Sequence, residues 1–421
     1  MAKPLRQYQK LSRLPLANHI RTAFAQTGRY NPIAIFEEKR GWDWIKSYLS
    51  DYLFRRAHPF LSARSAPNQS SVYTVPDNLR LGLAGDWGTG TDEAELVAQQ
   101  MLRWDDGGAT DLTIHLGDVY YVGKPNEIEE NCLGGGPAAT KAPQDCVTWP
   151  HGRLGSFALE GNHEMYAKGY AYFDEFLPRI GMLDDRGKPI GQGPSFFCLE
   201  NAAWRVIGVD TGYNSVRFPP LEKLFGGNCQ LDPAIIDWLR NVVRPQHDNK
   251  ATVLLSHHQY FSAFRKDLDY RKPAKQLAEF FGKRPVIWFW GHEHRLSGYK
   301  LFGFEEFKVH GRCIGHGGMP ADRESWDAAR PAAKEILFYD ARKNDLYPND
   351  DIGRNGFAQL SFEGTRLIVD YKSLSPSLPG TGKKYAPDPE FVLSETFAWN
   401  GTDFATTHVP KITAPGFVFS P

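Results

Sequence analysis

The sequence predicts an α/β protein, a layered α/β/β/α sandwich around two central sheets with an N-terminal helical extension, on three observations. From about residue 78, apolar runs of strand length alternate with helical patterns. Nearly every later run stops where glycine and a metal-binding side chain begin: GDWG at Asp86, GDVYY at Asp118, GNHE at Asn162, SHH at His257 and GHEH at His292. The 421 residues, 41% hydrophobic and 13% aromatic, also suffice for a large core.

In order along the chain, residues 1–76 read as the helical extension. Within GWDWIKSYLSDYLFRR, Ile45, Tyr48, Leu49, Tyr52 and Leu53 recur at helical spacing, a stripe expected to be buried. RSAPNQSS at 64–71 reads as a polar, turn-rich linker. Residues 77–375 form the expected catalytic domain. LRLGLAGD is a strand, Asp92 to Trp104 a helix and DLTIHLGD a second strand, so the two strands should be parallel neighbours. The stretch 125–150 reads as an unstructured insertion. AAWRVIGVD, ATVLLSHH and RPVIWFWGHEH are further strands ending in polar loops, and FAQLSF with TRLIVDYKS reads as a closing hairpin. Residues 376–421 read as a C-terminal tail that wraps or frays.

Formal net charge is zero, yet residues 1–76 hold twelve Lys/Arg against four acids, +8 against −8 for the rest. This piece is expected to dock on the remainder; a solvated basic face, or attraction to anionic substrates or lipid, are the alternatives. It lacks a nucleic-acid-binding motif, so no nucleic-acid partner is expected. No run approaches ~18 apolar residues, so no membrane span is expected. The first residues lack the apolar core of a secretory signal, which makes cytoplasmic location the expectation and a periplasmic or secreted one the alternative if a leader was removed. Five cysteines without CxxC spacing argue against a disulfide framework or zinc knuckle. Cys132 and Cys146 flank the insertion and are candidates for a local bridge, with free thiols the alternative in a reducing compartment.

The five clusters supply oxygen and nitrogen donors on strand-end loops. Phosphate-ester hydrolysis by two cations needs them about 3.5–4 Å apart, with one carboxylate touching both. Asp118 is the candidate bridge, since its strand neighbours the one ending in Asp86 and adjacent strands lie ~4.8 Å apart. Asn162 offers a neutral oxygen, and His163 beside it can face substrate as an acid. His292 and His294, two apart in an extended segment, point to one side.

In these motifs the chain resembles the calcineurin-like metallophosphoesterases, and among them the purple acid phosphatases, over roughly residues 78–373. The broader family opens with DxH; here Gly88 stands at the histidine position, as in the purple enzymes' GDxG. Their GDxxY pattern falls on Tyr121, with Tyr120 beside it a candidate core residue. The resemblance implies a ferric ion on Asp86, Asp118, Tyr121 and His294, and a divalent Fe, Zn or Mn on Asp118, Asn162, His257 and His292. It selects His257 over the adjacent His258. It also implies His163 as the acid for the leaving group, with Asp118 and His292 completing the catalytic set, and attack on a small phosphate ester by a metal-bound hydroxide. A phosphomonoesterase is the reading it favours. A phosphodiesterase for nucleotides or phospholipid head groups is the alternative, and an inactive scaffold is argued against by the retained ligands. The N-terminal segment departs from the β-sandwich domain of the large plant enzymes. Glu164, Asp210, Thr211 and His316 are candidates to orient ligands, and Tyr166, Tyr260, Phe261, Arg265 and Arg295 to line the substrate mouth; turn and packing roles are the alternatives.

Overall fold

The computed structural model describes residues 55–421 except 217–228, 266–268, 348–349 and 378–384. The expected helix at 41–56 therefore lies almost wholly outside the described residues. In chain order the elements are β1 (Val72–Thr74), β2 (Leu79–Ala84), α1 (Asp92–Met101), β3 (Leu112–His115), α2 (Pro125–Asn131), β4 (Gly155–Ala158), α3 (Asn162–Met165), β5 (Gly181–Met182), β6 (Phe197–Glu200) and β7 (Trp204–Gly208). There follow α4 (Pro233–Trp238), β8 (Ala251–Ser256), α5 (Arg271–Phe281), β9 (Val286–Trp290), β10 (Leu296–Phe302), β11 (Val309–Ile314) and β12 (Ile336–Asp340). The chain closes with β13 (Gly356–Glu363), β14 (Arg366–Ser373), β15 (Glu390–Trp399), β16 (Phe404–Pro410) and β17 (Phe417–Phe419).

These strands build a nine-stranded sheet, β1-β6-β7-β8-β9-β11-β10-β12-β17, and an eight-stranded sheet, β16-β15-β14-β13-β2-β3-β4-β5. The expected βαβ unit is present: β2 and β3 pair in parallel with Leu83 opposite Ile114, and β4 continues the parallel set. In the other sheet β7, β8 and β9 are likewise parallel. β13 and β14 form the expected antiparallel hairpin.

Strand alternation sorts the side chains into three apolar layers. Leu81, Leu83, Ile114 and Phe157 from one sheet meet Val253, Leu255, Ile287 and Phe289 from the other in the central core. The outward residues of the nine-stranded sheet, Leu254, Trp288 and Trp290, are covered by Trp238 of α4 and by Leu277 and Phe280 of α5. Ala84, Ala158 and Phe357 on the outer face of the eight-stranded sheet are covered by Val97 and Met101 of α1 and by Tyr172 and Phe176. Sheets buried on both faces explain why β8 and β9 read as unbroken apolar runs. One ion pair crosses the central core, where Arg312 of β11 donates to both Glu395 oxygens at 2.7 and 2.6 Å.

Three expectations need correction. The segment 376–421 is no loose tail, because β15 and β16 extend one sheet and β17 pairs with β12 in the other. Residues 125–150 are not wholly irregular, since they contain α2, started by a proline at its first turn. The boundary at residue 76 falls beyond β1, which pairs with β6. No disulfide joins any two of the five cysteines, Cys132 and Cys146 included. No helix among the described residues is long and apolar enough to cross a membrane.

Candidate metal centre

The motif loops leave the carboxyl ends of two parallel strand sets, one in each sheet, and converge there. Asp86, Asp118 and Asn162 follow the neighbours β2, β3 and β4; His257 and His292 follow the neighbours β8 and β9. Glycines allow the approach. A Cβ at Gly117 would stand 2.8 Å from both the Gly161 nitrogen and His257 Nδ1, and one at Gly291 would stand 2.6 Å from Asp86 Oδ2.

Asp118 is the centre of the arrangement, fully buried. Its Oδ1 accepts the His163 main-chain N–H at 3.0 Å and lies 3.3 Å from His257 Nε2. Its Oδ2 accepts the Tyr120 hydroxyl at 3.0 Å. That hydroxyl also lies 2.8 Å from Asp86 Oδ1 and 3.2 Å from His294 Nε2, so Asp86, Asp118, Tyr120 and His294 form one group. Asp86 Oδ2 accepts the His292 N–H at 2.7 Å, tying β2's loop to β9's.

The second group surrounds His257. Its Nδ1 faces the Leu116 carbonyl at 2.9 Å, and a carbonyl only accepts, so the ring proton sits on Nδ1. Nε2 then presents a lone pair toward Asn162 Oδ1 at 3.2 Å, Asp118 Oδ1 at 3.3 Å and His292 Nδ1 at 3.2 Å. Asn162 is oriented by its Nδ2, 3.3 Å from the Tyr166 hydroxyl, and His292 by its Nε2, 3.2 Å from the Tyr270 hydroxyl. Acceptors converging on one point are satisfied by a proton or by a cation. Burial alone would push the His257 pKa down, but the Asp118 charge outweighs it and holds the imidazole up at about 9. Burial opposes ionisation of Asp118 as well, and His257 and His163 overcome it, holding that carboxyl well below the usual range. The cradle thus favours positive charge, and its donor set of carboxylates, amide oxygen, imidazoles and phenol fits Fe, Zn or Mn. Among the described residues, two trios bring ligand atoms within 4.8 Å of one another: Asp86, Asp118 and His257, and His257, His258 and His292.

The tyrosine expectation shifts by one residue. Tyr120, not Tyr121, places its phenol between the two aspartates. Tyr121 meets the site through its main chain, its carbonyl accepting from His163 Nδ1 at 2.6 Å and its N–H donating to Glu127 at 2.7 Å. Burial and the charges of Asp118 and Asp86 hold the Tyr120 phenol well above its ordinary pKa. His163 is partly open, with Nε2 3.8 Å from Asp118 Oδ2. His258 is buried, its ring Nδ1 and main-chain N both on the Thr211 hydroxyl, and its ring packs on His292 at 4.5 Å between centroids.

The other candidates divide. Glu164 accepts the Gly161 N–H at 3.1 Å, Asp210 holds the turn at Gly212 and Tyr213 and accepts from Ser195, and Thr211 holds His258. They shape loops and do not bond the ligands directly. His316 is buried, with neither ring nitrogen hydrogen-bonded among the described residues, and burial pushes its pKa down to about 4. Tyr260, Phe261 and Arg295 are fully buried and line no mouth: the two aromatics belong to the core against Trp288 and Trp290, and Arg295 stacks on Phe264 and pairs with Asp322. Tyr270, Glu127 and Asn131 went unnoticed in the sequence; the last two stand four apart in PNEIEEN, a helical spacing hidden in so short a segment.

A family model described as calcineurin-like phosphoesterase matches residues 79–296, just over half of the chain. No curated protein matches the sequence. Similar solved structures include PhoD, with TM-score 0.49 and 15% identity over 82% of this chain and 73% of that one. A purple acid phosphatase from yellow lupin seeds has TM-score 0.46 and 13% identity over 77% of this chain and 55% of that longer one. A dimetal phosphatase from Danio rerio has TM-score 0.42 and 12% identity over 74% and 98%.

Proposed function

Since the chain belongs to the calcineurin-like phosphoesterase family, we propose that it hydrolyses phosphate esters at this cradle with two bound cations, and that phosphomonoesters are its substrates. The observation that carries the proposal is the double engagement of Asp118. Its Oδ1 faces His257 and its Oδ2 faces the Tyr120 phenol, so one carboxylate joins the group of Asp86, Tyr120 and His294 to that of Asn162, His257 and His292. We assign the first group to a ferric ion, for which a phenolate is a hard partner, and the second to divalent Fe, Zn or Mn. Bound there, the cations supply neutralisation of phosphoryl oxygens and a water of lowered pKa.

The residues of the chain do the rest. Asp86 and Asp118 give the cradle the negative charge that selects cations, while Tyr270 and Tyr166 fix the ring of His292 and the amide of Asn162. His163 donates its Nδ1 proton to the Tyr121 carbonyl, which leaves Nε2 to face an ester above Asp118; in the imidazolium form Nε2 carries the second proton, which passes to the departing alkoxide. Two of its sides are fenced by the Tyr120 and Tyr166 rings, at 4.4 and 5.2 Å between centroids.

The test is metal analysis of the purified protein alongside hydrolysis of p-nitrophenyl phosphate and bis(p-nitrophenyl) phosphate. Two metals per chain and faster monoester turnover are expected. Asp118→Asn should bind fewer than two metals and lose at least about 10²-fold in turnover. An Asp118→Asn protein with full metal content and full activity would remove the bridge and the proposal with it.

A further inference from the structure

Residues 120–124, which begin with Tyr120, run past the end of β3, so their five main-chain N–H groups need partners outside the sheet. Tyr120 N–H bonds the Gly88 carbonyl at 2.9 Å and Gly123 N–H the Val119 carbonyl at 3.1 Å. The other three end on one carboxylate: Glu127 accepts from Tyr121 at 2.7 Å, Val122 at 3.1 Å and Lys124 at 3.0 Å. Capping of α2 accounts for the Lys124 bond alone. One helical turn on, the same face of α2 carries Asn131, fully buried. Its Nδ2 donates to the carbonyls of Gly88 at 3.2 Å and Tyr120 at 2.9 Å, stapling the first motif loop to the second. Gly90, at φ +63°, closes the contact: a Cβ there would lie 2.2 Å from Asn131 Oδ1.

We propose that Glu127 and Asn131 are positioning residues that fix the Tyr120 ring between Asp86 and Asp118, by holding the main chain on both sides of it. The inference rests on the metal-centre reading above. It assigns to the helix a function beyond packing: without its carboxylate three donors lose their partner, and the loop is free to turn a different side chain inward.

The experiment compares Glu127→Gln and Asn131→Asp with the parent protein. In the metal-free proteins, hydrogen exchange over residues 118–124 is followed. Glu127→Gln should speed exchange at Tyr121, Val122 and Lys124 by about tenfold or more, because an amide accepts these bonds less strongly and sets its own N–H groups against them. In the metal-loaded proteins, both variants should weaken metal binding by about 10- to 100-fold and alter the absorption per bound iron, and Glu127→Asp should recover part of each. A helix that merely stabilises the fold would lower Tm and leave exchange within the loop and absorption per iron unchanged; that result overturns the proposal. Should Asn131→Asp not fold, the two Glu127 variants decide alone. A parent protein that binds no metal would sink the metal-centre reading, whereas unchanged exchange in Glu127→Gln would sink the clamp, so the two failures are distinguishable.

Discussion

Tyr120 and Tyr121 give the sharpest prediction, because adjacent tyrosines have opposite places in the site. Tyr120→Phe deletes one oxygen, which stands 2.8 Å from Asp86 Oδ1 and 3.0 Å from Asp118 Oδ2. Both carboxylates are buried, and among the described residues Asp86 Oδ1 keeps only His294 Nε2, at 3.4 Å. A hydrogen bond to a charged acceptor contributes about 1.5–3 kcal/mol, so the metal-free variant should lose about 2 kcal/mol. Unfolding entropy of about 2.1 cal/mol/K per residue gives roughly 0.9 kcal/mol per degree for a chain of this size, and hence a Tm lowered by only about 2 °C. The fold therefore survives, and the metal-loaded variant can be examined. Visible absorption with metal analysis on the same sample is the assay. If the phenolate meets a ferric ion, the charge-transfer band is present in the parent, absent in Tyr120→Phe and retained in Tyr121→Phe, which keeps the main-chain bonds of Tyr121 to His163 and Glu127 and the edge of its ring on Tyr120. The reverse pattern, bleaching by Tyr121→Phe and not by Tyr120→Phe, would refute the placement of Tyr120.

Two further outcomes follow from the geometry. His163→Ala should lower kcat by about 10²- to 10⁴-fold with metal content unchanged; loss of metal instead of turnover would make His163 a ligand and not the acid. The Arg312–Glu395 pair between the sheets should govern acid stability. Burial opposes the Glu395 charge, but Arg312, His408 and Tyr371 overcome it and bring its pKa down to about 2. A carboxyl lowered on folding stabilises above its unfolded pKa near ~4.3 and loses that stabilisation as pH falls toward 2, here about 3 kcal/mol in all. Metal-free Glu395→Gln should be less stable at neutral pH and should lack this part of the acid slope; identical slopes in parent and variant between pH 4.5 and 2 would contradict it.

The strand-end motifs were legible in the sequence because each is a local event, an apolar run stopped by glycine and a donor side chain. What could not be read was set by distant partners. The family resemblance of GDVYY points to Tyr121, yet which ring turns inward depends on a loop held by Glu127 and Asn131 of a helix that follows it. Tyr260, Phe261 and Arg295 follow motif residues in sequence, but the sheet beneath them draws their side chains into the core or into ion pairs. The strands at 390–410 went unseen because a Pro- and Gly-rich stretch precedes them, while the alternation in EFVLSETFAW, with Leu393 and Phe397 buried and Ser394 partly open, is the signal that would have found β15.

The site also explains why its motifs are spelled as glycine followed by a ligand. Asp86, Asp118 and His292 have φ of 55°, 73° and 63°, in the left-handed region that non-glycine residues rarely occupy. Strain of this kind costs of order 1–3 kcal/mol per residue and persists where neighbouring contacts over-determine it. Here they do: Asp86 N–H bonds the Gly117 carbonyl, and His292 N–H bonds the Asp86 carboxylate. The glycines before Asp118 and His292 lie where the edges of the two sheets meet, with no room for a Cβ. A chain leaving a strand through such a glycine must turn at once, and the left-handed residue that follows throws its side chain back across the gap toward the other sheet. Asp86 and Asp118 consequently aim their carboxylates at histidines from β9 and β8, respectively. The orientation of the cradle is thus set by strained backbone and by hydrogen bonds between the sheets.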